Sequence, residues 1–155
     1  ITRFTHNISI QKVEYCMNAR PEKPVETPKV WIRFAEGDFA VAQREMQSEA
    51  PVYHTICFLC QSAVEKYLKG YLISEGWALE RTHDIVELLG HCMGFDESWS
   101  SLMAEGAVLN EYIVAGRYPG DIFIEHIDNE AAEEALKAVK RIKYRVNRIM
   151  GESET

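Results

Sequence analysis

The chain has 155 residues, 46% of them apolar and 26% charged, which are the proportions of one soluble globular domain. Its net charge of −7 argues against sequence-blind binding to duplex nucleic acid, which needs many phosphate-neutralising cations, although a local basic face stays open. No apolar run reaches the ~20 residues that span a bilayer, and the opening "ITRFTHNISIQ" lacks the apolar centre of a signal peptide. The expectation is a cytoplasmic chain with reduced thiols and no membrane contact.

Residues 1–28 read as an extended N-terminal arm. Pro21, Pro24 and Pro28 stand among charged residues, and each proline removes an amide donor and pushes its predecessor towards extended geometry. From Lys29 the apolar period becomes helical. Trp31, Ala35, Phe39, Ala42 and Met46 fall at steps of three and four, one stripe of a first helix.

Pro51 marks the opening of a second helix, because the first turn needs no amide hydrogen there. That helix runs to Gly76, interrupted only by Gly70. Its apolar face, from Ile56 through Ala63 and Tyr67 to Tyr71, is wide enough to require burial on more than one side. Thr82 or Asp84 can cap a third helix ending near Gly94. Asp96 or Ser98 opens a fourth, expected to continue through Leu109 and Tyr112 to Gly116.

The last helix is the clearest. Asp128 or Asn129 can cap it, and Glu130, Glu133 and Glu134 suit its positive end. Ala135, Val139, Ile142, Val146 and Ile149 form a bundle seam, and Gly151 is the expected stop. Helices joined by short loops, with no convincing strand, give an all-α fold: an up-and-down bundle of four to five helices over residues 29–151, preceded by the arm.

Little in the chain signals catalysis. Cys57 and Cys60 have CxxC spacing, but no second pair exists to complete a metal site, and they lie inside an apolar helix as small hydrophobes. The five histidines are scattered, with no HExxH, no Gly-x-Ser-x-Gly and no Gly-x-Gly-x-x-Gly. No cofactor and no metal are implied.

Three features have a functional and a plain reading. Lys137, Lys140, Arg141, Lys143, Arg145 and Arg148 make a basic run, either a solvated helix face or a surface for phosphates, RNA or an acidic partner. Glu65, Lys66 and Lys69 sit on the polar side of the second helix. Glu65 and Lys69 are spaced for an i,i+4 pair, or Lys66 and Lys69 serve a phosphate. "GRYPG", Gly116 to Gly120, is a stiff corner: Gly116 suits a C-cap and Pro119 bars helix continuation. A stop signal needs neither Arg117 nor Tyr118. A guanidinium fork suits phosphate and a phenol ring can stack on a base; the alternative is an Arg117 pair with a carboxylate such as Asp38.

In order along the chain, "WIRFAEGDFAVAQRE", "ICFLCQSAVEKYLKGYLISEG", "RTHDIVELL" and "LNEYIVAGRYPGD" together resemble the HEPN family, the nucleotide-binding domain of higher eukaryotes and prokaryotes. The resemblance covers Lys29 to Met150. It implies a helical bundle, a homodimer, and association with nucleotides or RNA. It also implies a minimal nucleotidyltransferase partner, often in a toxin–antitoxin pair, and some members of the family are metal-independent ribonucleases. Residue by residue it points to Asp38, to Glu65, Lys66 and Lys69, to Thr82, His83 and Asp84, and to Arg117, Tyr118 and Pro119.

Two departures bear on activity. Catalytic members carry a His four to six residues beyond an Arg, counting those between. After Arg117 those positions are Ile122, Phe123 and Ile124, with His126 beyond them. Leu59 also stands where relatives often have a histidine.

The leading expectation is therefore a non-catalytic domain binding a nucleotide or RNA phosphate through Arg117, Tyr118, Lys66, Lys69, Asp38 and His83. The alternatives are a ribonuclease using Arg117 and His126, and a protein-interaction module docking through the basic last helix.

Overall fold

Proline lacks the amide hydrogen that a first helical turn leaves unused, and α1 (Pro28–Met46) starts on one. The computed structural model describes residues 27–113 and 126–152. The N-terminal arm up to residue 26 and the Arg117–Tyr118–Pro119 corner lie outside the described residues. Of the stripe expected on α1, Ala35, Phe39 and Ala42 are buried and Met46 packs against the core edge.

The central helix is α2 (Tyr53–Ser74), against which α1, α3, α4 and α5 all pack. It starts two residues after Pro51. In the connection before it, the Glu45 carboxylate accepts the Val52 amide at 3.0 Å. The breadth of its buried face, from Ile56 to Leu72, matches its central position. Gly70 is required where α1 crosses it: a Cβ there would stand 2.7 Å from Ile32 Cδ1 and 3.3 Å from the Pro28 carbonyl. Gly76 ends the helix, with φ at 89°. The Trp77 amide reaches the Leu72 carbonyl at 2.9 Å and the Gly76 amide reaches Ile73 at 3.0 Å. That paired closure satisfies carbonyls the helix would otherwise leave open, and it needs the left-handed residue glycine supplies.

α3 (Ile85–Phe95) is capped by Asp84, whose Oδ1 accepts the Glu87 amide at 2.9 Å. The single fourth helix expected from the sequence is instead two pieces. A 3₁₀ helix (Glu97–Leu102), capped by Asp96, leads into α4 (Met103–Asn110), followed by a turn through Ile113. The serines explain the tight start. Asp96 binds both the amide and hydroxyl of Ser98, and the Ser101 hydroxyl donates to the Ser98 carbonyl, local bonds that compete with α-helical pairing. This turn drives Trp99 inward to full burial, with its ring 4.9 Å from that of Tyr71.

α5 (Asn129–Glu152) begins where Asp128 Oδ1 accepts the Ala131 amide at 3.0 Å. Ala135, Val139, Ile142 and Val146 are buried as the seam requires. Gly151 lies within the last turn rather than stopping it.

Three cations of the basic run turn back onto the bundle. Arg141 pairs with Glu105 of α4, Lys143 with Glu36 of α1 at 2.6 Å, and Arg145 with Asp96 at 3.0 Å while lying 4.3 Å over the Trp99 ring. Partial burial of Glu36 works against its ionisation. The hydrogen bond from Lys143 and the charge of its ammonium outweigh that penalty and hold the carboxyl below the usual range.

The architecture is an all-α bundle, with no strand among the described residues. Among those residues no helix is long and apolar enough to cross a membrane. Cys57, Cys60 and Cys92 are buried free thiols; burial pushes Cys57 up to about 12 and Cys60 and Cys92 higher still, which suits packing rather than reactivity.

Candidate functional site

Ser62, Glu65, Lys66 and Lys69 recur at helical spacing along one side of α2, so the two lysines reach different neighbours. Lys66 turns to α1 and pairs with Asp38, whose Oδ2 also accepts the Ser62 hydroxyl at 2.8 Å. Lys66 Nζ and Ser62 Oγ are themselves 2.6 Å apart. That oxygen of Asp38 thus already holds two donors of α2.

Lys69 turns inward. Although expected on the polar side of the helix, its side chain is only 5% exposed. It meets Glu65 Oε1 at 2.8 Å and stands 5.4 Å from the centre of the Trp31 ring. The other oxygen of Glu65 lies 2.9 Å from His83 Nδ1, and His83 itself is 55% exposed. A carboxylate can only accept, so Nδ1 carries the proton and Nε2 is left to meet solvent or a ligand. A buried ammonium, a nearly buried carboxylate and an open imidazole therefore form one chain leading from the core to the surface.

The loop bearing His83 is fixed from both sides. Gln61 of α2 donates to the His83 carbonyl at 3.1 Å. Thr82 Oγ1 accepts the Asp84 amide at 3.2 Å and donates to Glu87 at 2.6 Å. Asn110, the last residue of α4, accepts the Ile85 amide at 2.7 Å and donates to Asp84 at 2.8 Å. The Glu87 amide first, and then Asn110, hold the Asp84 carboxyl below the ordinary range. The end of α4 is thus bolted to the His83 loop.

The structure brings together Lys69, Glu65 and His83, and beside them Lys66 and Asp38. Arg117 and Tyr118 fall outside the described residues, and His126 is exposed ahead of α5. Asn110 was not singled out by sequence; a lone Asn at a helix end reads as a cap, and nothing local announces a partner on another helix. Next to Lys66, a shallow hollow of about 280 Å³ is lined by Val30, Trp31 and Phe34.

A helical bundle with these ordered Asp, Glu-Lys-x-x-Lys and Thr-His-Asp clusters on one side defines a small all-α domain. The model of the HEPN domain matches residues 28–149, and the chain belongs to the HEPN family. Among solved structures it is similar to TT1696 from Thermus thermophilus, with a TM-score of 0.67 and 25% identity over 78% of this chain and 96% of that one. It is also similar to ST0689, an archaeal HEPN homologue, with a TM-score of 0.63 and 25% identity over 78% of this chain and 95% of that one. No curated protein matches the chain.

Proposed function

We propose that this HEPN domain binds a nucleotide or an RNA phosphate without catalysing its cleavage. The supporting observation is the Lys69–Glu65–His83 chain, which presents an imidazole at the surface in a fixed orientation. In this reading His83 Nε2 and the Arg117 guanidinium share the phosphate, Tyr118 stacks on the base, and Lys66 adds positive potential beside Asp38. Lys69 acts from inside, by holding the Glu65 side chain in place. Family membership supports the nucleotide reading, and it extends to a minimal nucleotidyltransferase partner of the toxin–antitoxin kind, in the cytoplasm. Calorimetric titration of ATP, GTP and a short single-stranded RNA tests it. Saturable binding by the wild type that is lost in Arg117→Ala is expected. Equal binding in both, or none in either, removes the assigned site.

The domain acts as a homodimer in this proposal. Val30, Phe34, Gly37 and Val41 lie on one outward stripe of α1, with Phe34 57% and Val41 42% exposed. A stripe of this spacing, with glycine at its middle, suits close packing against a second copy of the same helix.

The ribonuclease reading draws on the exposure of His126, which leaves its ring open to substrate. It requires RNA cleavage in EDTA that disappears in both His126→Ala and Arg117→Ala.

A further inference from the structure

Glu80, from the loop after α2, and Glu87 and His91, one turn apart on α3, form a cluster beside the loop of His83, linked to it by the Thr82–Glu87 bond. One donor atom from each lies within 4.8 Å of the other two. His91 Nε2 is 3.8 Å from Glu80 Oε2 and 3.9 Å from Glu87 Oε1, beyond the roughly 3.2 Å reach of an N–H···O bond. That nitrogen is nevertheless enclosed and has no hydrogen-bond partner among the described residues. Enclosed polar atoms are normally satisfied, so this one calls for an explanation.

We propose that Glu80, Glu87 and His91 form a three-ligand site for a divalent transition metal of the zinc or manganese class. Donors at about 2.1 Å from a tetrahedral ion stand about 3.4 Å from one another, so the two imidazole–carboxylate separations would each shorten by about half an ångström on closing onto an ion. Two features outside the ligand set prepare it. The Trp77 ring, 5.4 Å from that of His91, packs against the imidazole. The Thr82 hydroxyl donates at 2.6 Å to Glu87 Oε2, which leaves Oε1 for the ion, the kind of outer bond that orients carboxylate ligands. One imidazole nitrogen with two carboxylates suits transition dications better than calcium, which takes six to eight oxygens. With three protein ligands, a position is left for water. The ion would clamp the loop of Glu80 to α3, and through Thr82 it would stiffen the segment carrying His83.

The rival account is a plain ion cluster, with an imidazolium between two carboxylates. Calorimetry with Zn²⁺ and Mn²⁺ on chelator-stripped full chain separates the two, alongside Tm measurements. Glu80 is exposed in a loop, so Glu80→Gln keeps the fold; His91→Ala is the second variant, and circular dichroism checks both. One ion per chain is expected in the wild type with a rise in Tm, and affinity at least tenfold weaker in each variant. Absence of saturable binding up to about 1 mM metal, a scale set by the weakest dedicated cation modules, overturns the site. Affinity changed less than tenfold in either variant does the same.

Discussion

Glu65 Oε2 and His83 Nδ1 stand 2.9 Å apart, while the other oxygen of Glu65 holds the ammonium of Lys69 at 2.8 Å. One carboxylate therefore neutralises a buried charge and aligns an exposed ring. Removing it exposes both consequences.

Glu65→Gln leaves the Lys69 ammonium buried beside a neutral amide, and loss of one partner of a buried pair costs about 3–5 kcal/mol. Lys69→Met leaves Glu65 with His83 still beside it and costs less. Replacing both, as Glu65→Leu with Lys69→Met, costs less than the two single losses summed, because no charge is stranded. Urea unfolding of the four proteins measures the order.

The bonds that the Asp84 carboxylate accepts, from the Glu87 amide first and then from Asn110, make stability depend on acid. The folded-state pKa of Asp84 lies below the ordinary Asp value. Its stabilisation is therefore complete above that ordinary value and is lost as pH falls through the folded one. Asp84→Asn should flatten this part of the stability profile between neutral pH and about pH 2, the range over which native carboxylates protonate. Asn110→Ala, which removes a donor and an acceptor, should cost about 1–3 kcal/mol at neutral pH. Thermal unfolding across pH checks both.

The dimer reading makes a separate demand. Light scattering should give twice the chain mass for wild type and the single chain mass for Phe34→Glu at the same concentration, with the helical spectrum unchanged. A wild type of single chain mass at high concentration removes that interface.

The fold was legible because its signals are periodic. The stripe of α1 and the seam of α5 repeat at three and four, and Gly76 and Asp84 supply the stop and cap that the sequence suggested. The split of the fourth helix was not legible, because it depends on Ser98 and Ser101 bonding locally while Trp99 is drawn into the core. Gly151 stayed helical because glycine permits an end without enforcing one. At the site, the Glu65–Lys69 pair could be read from its spacing. Its burial could not, since that comes from Trp31 on another helix. Likewise, no local pattern couples Asn110 to Asp84, 26 residues away.

The central claim is that His83, aligned by Glu65, meets a phosphate together with Arg117. Nitrogen-edge NMR of the His83 ring reads this directly. On addition of saturating nucleotide, the Nε2 resonance should shift in the wild type while Nδ1 keeps its Glu65-bonded signature, and no shift should occur in Arg117→Ala. A nucleotide that binds the wild type tightly while the His83 ring resonances stay unmoved would contradict the account.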